Sequence, residues 1–82
     1  MIKFLFFAQL TDDTGCDSLE LAFSGVKSVR NYIDEMSDKI PAGVLESLKT
    51  DVAISINQQF ASVEDVLNDG DVVGLLPPFS GG

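Results

Sequence analysis

Histidine and tryptophan are missing from this 82-residue chain, cysteine occurs once and basic side chains number only five, and each shortage argues against a class of function. Without histidine there is no imidazole to move protons near neutral pH, no Ser-His or Cys-His nucleophilic pair, and no nitrogen ligand for a transition metal. The lone Cys16 cannot close an intramolecular disulfide or complete a metal site of three or four N or S ligands. With Gly15 and Asp17 beside it and no basic neighbour to activate it, it reads as an incidental thiol of a reducing, cytoplasmic compartment. Five cations against 13 carboxylates give a formal charge of -8 with no basic cluster, which argues against nucleic acid and anionic membranes as partners and for a basic protein partner. No run approaches the roughly 20 apolar residues that span a bilayer. The apolar opening, residues 1–8, is cut short by Gln9, Thr11, Asp12 and Asp13 without a small-residue cleavage site, so it is read as a strand and not as a leader.

What is present supports one small packed domain. The chain is 45% hydrophobic with six Phe, enough to offset the ordering entropy that keeps polar chains disordered. In residues 2–9, Ile2, Phe4, Phe6 and Ala8 make one apolar face while Lys3, Leu5, Phe7 and Gln9 make a mixed one, the alternation of a central strand that leaves Phe7 on its less buried side. Asp12, Asp13, Gly15 and Asp17 predict a solvated turn, and Leu19, Leu21 and Phe23 a second strand closing an N-terminal hairpin. From Lys27 the period lengthens: Val29, Ile33, Met36 and Ile40 form one helical stripe, with Gly25 or Ser28 as cap and Pro41 as stop. A short helical turn through Val44, Leu45 and Leu48 follows. Val52, Ile54 and Ile56 alternate with Ala53, Ser55 and Asn57 in a strand, and Gln58-Gln59 is placed as a tight turn into a return strand at Phe60. Asn68-Asp69-Gly70-Asp71 is a plain turn, lacking the ligand spacing of a calcium loop, and it leads into a last strand through Val72, Val73, Leu75 and Leu76.

This order predicts an α+β ubiquitin-like β-grasp, a mixed sheet of about five strands with one main helix packed on one face. A five-strand barrel of the oligonucleotide-binding type is the alternative, although the acidic balance removes its usual ligand. Residues 1–76 are assigned to the domain and residues 77–82 to an extended tail. Two terminal glycines arise by chance about once in 200 chains at average usage. Here they follow Pro77-Pro78, which fixes two φ angles and favours an extended backbone. Gly81 and Gly82 can follow a channel too narrow for a Cβ, and six residues reach about 20 Å. The only reactive group of such a tail is the α-carboxylate of Gly82. A carboxylate ionised at neutral pH is a poor electrophile, so a separate enzyme must activate it, and adenylation by ATP would supply the leaving group.

Several motifs together give a sharper reading. Met1-Ile2-Lys3-Phe4-Leu5-Phe6-Phe7-Ala8-Gln9, the Asn57-Gln58 pair, Leu67-Asn68-Asp69-Gly70-Asp71-Val72-Val73 and Pro77-Pro78-Phe79-Ser80-Gly81-Gly82 closely resemble, in that order, the small subunit of molybdopterin synthase. The resemblance implies a β-grasp sulfur carrier that binds no cofactor itself. It implies that a ubiquitin-activating-type enzyme adenylates Gly82 with ATP, that a sulfur donor converts it to a thiocarboxylate, and that the large synthase subunit, in a heterotetramer, receives the sulfur for cyclic pyranopterin monophosphate. Catalytic residues are expected on that large subunit, which leaves this chain non-catalytic alone. Phe7, Phe60 and Leu76 match the family's apolar contact positions, and Pro77, Pro78, Phe79 and Ser80 would contact the partner along the threaded tail. Leu76 also has a core reading. Residues 21–49 carry no family motif, and Leu75-Leu76 stand where aromatic residues are frequent. Thiocarboxylate carriers for thiamine thiazole or tRNA thiolation, a modifier joined to lysines, and a module whose C-terminus is never activated remain open.

Overall fold

The computed structural model describes residues 1–77. β1 (Ile2–Phe6) buries Ile2, Phe4 and Phe6 on one face and turns Lys3 and Leu5 to the other, as the two-residue period dictates. It pairs antiparallel with β2 (Ser18–Leu21), Phe4 opposite Leu19 and Lys3 opposite Glu20. The connection between them contains α1 (Gln9–Thr14), where the sequence predicts only a turn. Leu10 is buried, the Thr14 hydroxyl donates to the Leu10 carbonyl at 2.8 Å, and Gly15, at φ 82°, ends the helix with its N–H on Thr11 O. Six residues are too few for an apolar stripe to show, so Asp12 and Asp13 read as loop.

The helical layer is divided, and the predicted single helix from Lys27 to Ile40 is corrected accordingly. β3 (Lys27–Ser28) pairs with β6 (Val66–Leu67) in a separate two-stranded sheet. Ser28 then caps α2 (Val29–Asp34), its hydroxyl accepting from the Asn31 N–H at 3.2 Å. From Glu35 onward the amides of Glu35, Met36, Ser37 and Lys39 bond carbonyls three residues back, which tightens the turn. Met36 and Ile40 stay buried, so the stripe persists where the regular helix does not. Pro41 ends this segment and immediately precedes α3 (Ala42–Thr50), nine residues long where one turn is predicted, with Leu45 and Leu48 buried. Lys49 of α3 binds Asp34 of α2 at 2.7 Å and Glu46 at 2.8 Å. The bond to Asp34, then that to Glu46, holds its amine above the ordinary lysine value.

β4 (Ala53–Ile56) has the predicted faces, and the hairpin to β5 (Gln59–Ala61) turns one residue earlier than expected, at Asn57 and Gln58. Both have positive φ, 51° and 72°, as a two-residue hairpin turn matched to strand twist requires, and Asn tolerates that region better than most residues. β7 (Val72–Leu76) lies parallel to β1 and antiparallel to β4, giving the order β2-β1-β7-β4-β5. The inner face carries Phe4, Val73, Leu75 and Ile54, which join Tyr32, Ile33, Met36 and Leu48 from the helical segment in one core. This is the predicted β-grasp, a mixed five-stranded sheet with helices packed on it. Among the described residues its edge strands β2 and β5 do not pair with one another, so the sheet is open and not the closed barrel. Among the described residues no helix is long and apolar enough to cross a membrane.

Candidate functional site

The outer face of the sheet follows from strand register. Since Ile54, Leu75 and Phe4 point inward, their neighbours must point out, and Leu5 pairs with Gly74, Ser55 with Gly74 and with Phe60, and Ala53 with Leu76. Side chains at Leu5, Phe7, Ser55, Phe60 and Leu76 therefore share one surface without a helix over it. Phe60 is 90% exposed and Phe7 43%, so neither serves the core. Leu76 is half-buried and lines the same hollow of about 250 Å³ as Phe7, Ser55, Gln58 and Phe60, on the outer face and not among the fully buried core residues. A second hollow, of about 350 Å³, adjoins it over Leu5, Val72 and Gly74. An apolar hollow with aromatic anchors and a polar edge, open to be desolvated by a partner, is the usual make-up of a protein-binding hot spot.

The backbone shapes this surface at two places. Ala8, at φ 53°, makes an uncommon turn for a residue with a Cβ directly after Phe7. Gly74 lies beneath the Phe7 ring: a Cβ built there would stand 2.6 Å from Ser55 Oγ and 3.2 Å from Phe7 Cε2. Leu5 and Gly74 escape a reading for reactive groups because they carry none, and the Ser55 hydroxyl escapes it because the chain has no histidine to pair with it. The signal that could have found them is their position out of phase with Ile54, Ile56, Val73 and Leu75. Gly74→Ala is expected to destabilise the domain by about 1–3 kcal/mol through overpacking. Adding Ser55→Ala, which removes the nearer clash, should recover most of that loss in urea titrations.

Two of the sequence motifs turn out to be scaffolding for this face. The Asn57 side chain donates to Asp71 Oδ1 at 3.0 Å and accepts from the Val72 N–H at 3.0 Å, while the Asn57 N–H reaches the Val72 carbonyl at 2.8 Å. Asp71 Oδ2 accepts from the Asn68 N–H at 2.8 Å, and Gly70 turns at φ 93°. Asn57-Gln58 and Asn68-Asp69-Gly70-Asp71 are thus one hydrogen-bonded knot that fixes the start of β7 and hence the direction of everything after it. Of the acidic residues near β7, Asp69 pairs with the Met1 amine, Glu64 with Arg30 at 3.2 Å, and Asp65 accepts from the Ser62 N–H at 2.8 Å. Among the described residues no group of three His, Cys, Asp or Glu side chains is arranged to hold a metal ion.

β7 delivers Leu76 and a half-buried Pro77 at the border of the hollow. Pro78, Phe79, Ser80, Gly81 and Gly82, the remaining tail positions expected to meet a partner or carry the reactive carboxylate, lie outside the described residues. The knot therefore holds one end of β7 and the chain leaves from the other, with the apolar face between them.

Comparison with known proteins extends this picture. The ThiS family matches residues 4–82. The chain is 39% identical over 84 aligned residues, all of both chains, to the molybdopterin synthase sulfur carrier subunit of Escherichia coli (strain K12). Among solved structures it is similar to the putative molybdopterin converting factor, subunit 1, of Pyrococcus furiosus, with a TM-score of 0.72, 28% identity and coverage of 94% of this chain and 95% of that one. It is also similar to small archaeal modifier protein 1 of Methanosarcina acetivorans, with a TM-score of 0.76, 27% identity and coverage of 99% and 95%.

Proposed function

The chain belongs to the ThiS family, and from that premise we propose that it is the sulfur-carrying small subunit of a molybdopterin synthase, with Gly82 as the carried group. Full-length similarity to a sulfur carrier subunit supports this reading, and the structural observation that carries it is the exposed Phe7, Phe60 and Leu76 surface at the border from which β7 leads into the tail.

The Gly82 carboxylate attacks the α-phosphate of ATP on an adenylating enzyme, pyrophosphate leaves, and the carboxyl becomes an acyl adenylate. Hydrosulfide released by the sulfur donor attacks the acyl carbon, AMP leaves as the mixed-anhydride C–O bond breaks, and loss of the S–H proton leaves a thiocarboxylate, the ordinary logic of splitting one difficult substitution into two. On the large subunit the thiocarboxylate sulfur bonds to a carbon of cyclic pyranopterin monophosphate as an oxygen substituent leaves that carbon, and water then cleaves the acyl–sulfur bond, which leaves the sulfur on the pterin and restores the Gly82 carboxylate. In this scheme the domain supplies recognition and reach, through Phe7, Phe60, Leu76 and the Pro77-Pro78-Phe79-Ser80 segment, while Gly81 and Gly82 enter the partner's site. Acid and base groups are left to the partner, in keeping with a chain that has no histidine. A reducing cytoplasm is the setting that suits its single, unpaired Cys16.

The test is the intact mass of the protein after incubation with ATP, a cognate adenylating enzyme and a sulfur donor. The expected gain is that of one oxygen replaced by sulfur. An unchanged mass with partners shown to be active on another carrier overturns the reading. The likeness to a small archaeal modifier protein favours one second reading, attachment of Gly82 to lysine amines, which would appear as conjugates of higher mass.

A further inference from the structure

We propose that Phe60 is the shared wall of a two-part docking surface, and that its second part, around the β5 edge, receives an arginine side chain of the protein partner. The inference rests on the carrier reading and deepens it by naming the chemistry of the partner.

Phe60 lines the outer-face hollow with Phe7 and Leu76, and it also lines a separate groove of about 590 Å³ with Ala61, Asp65, Val66 and Asp71. β5 is an edge strand, so the two hollows lie on either side of one exposed aromatic ring. The groove holds two carboxylates and no basic side chain. Asp71 is occupied at both oxygens by Asn57 and Asn68. Asp65 is bound only through Oδ2, by the Ser62 N–H, and its Oδ1 has no partner among the described residues. An aromatic face beside a carboxylate with an oxygen to spare matches a guanidinium, which is planar, stacks on aromatic rings and hydrogen-bonds carboxylates; an ammonium satisfies only the charge.

A second copy of this chain is a poor occupant. It would bring another formal charge of -8, and its one arginine, Arg30, is already paired with Glu64. The arginine must come from a different protein, on a segment that continues from an apolar anchor in the outer-face hollow.

The test is the affinity of the full chain for the cognate large synthase subunit, measured by titration calorimetry at low and at high salt. Asp65→Asn keeps the oxygen that accepts from Ser62 but removes the charge, and it is expected to weaken binding about tenfold at low salt, with a shallower salt dependence and an unchanged melting temperature. Glu64→Gln removes an equal charge one residue away that does not line the groove, and it should leave affinity within about twofold. Wild-type-like binding by Asp65→Asn, or an equal loss in Glu64→Gln, overturns the arginine site and leaves the carrier reading standing. Failure of the unaltered chain to bind the large subunit overturns both.

Discussion

Removing Gly82 is expected to abolish sulfur loading completely while leaving the domain as stable as before. The shortened chain still ends in a glycine carboxylate, but that carboxylate falls short of its former position by about 3.5 Å, the length of one extended residue. Displacement of even 1 Å in a reacting group costs on the order of a hundredfold in rate, so a shift of this size removes the reaction and does not merely slow it. Replacing Gly81 by Ala keeps the length and tests the other requirement, passage through a channel with no room for a Cβ. It should lower the rate of loading strongly without preventing docking. Both variants should melt with the parent, because among the described residues the buried core runs from Ile2 to Leu75. Intact mass after incubation with ATP, adenylating enzyme and sulfur donor reads the chemistry, and thermal unfolding reads the fold. Normal loading of the chain lacking Gly82 would sink the assignment of the carried group.

Phe60→Asp should separate binding from stability just as sharply. A side chain that is 90% exposed contributes almost no burial to folding, so urea titration should show a change within about 0.5 kcal/mol. In the proposed complex the same ring would serve as an aromatic anchor, and its loss should cost about 2–4 kcal/mol, roughly 30- to 1000-fold in affinity for the large subunit. Phe4→Ala provides the opposite case. Phe4 is fully buried on the inner face, and its truncation should cost about 3–5 kcal/mol of stability through lost transfer energy and the cavity left behind. Two phenylalanines in one sheet thus predict opposite phenotypes. If Phe60→Asp bound the large subunit as tightly as the parent, the outer face would not be the docking surface.

The strands were legible where one face is buried, because burial imposes a two-residue alternation that the sequence displays. This holds for Ile2, Phe4 and Phe6, and for Ile54 and Ile56. It fails for β3 and β6, two residues each, which are too short to carry a period. The stripe of Val29, Ile33, Met36 and Ile40 reported burial faithfully, but the change to tighter turns after Asp34 leaves the same residues inside and so leaves no mark on the pattern. The local sequence points to Gln58-Gln59, one residue past the turn at Asn57 and Gln58, because a glutamine pair suits a turn equally well. What selects Asn57 is its side-chain bond to the amide of Val72, 15 positions away.

By itself the sequence framed the chemistry: no histidine, one cysteine and a surplus of carboxylates argue against imidazole acid-base, disulfide and phosphate-neutralising functions, and a Gly-Gly tail behind two prolines points to its carboxylate as the group to activate. Those are properties of residue type and spacing, which need no folding to be read. Only the tertiary structure decided that β7 lies between β1 and β4, that Gly74 sits under the Phe7 ring, and that Phe60 stands between an apolar hollow and an acidic groove. The strand order and the close approach at Gly74 depend on segments about 20 to 70 residues apart being brought into register, and that register is set by the fit of the whole core, which no local pattern records.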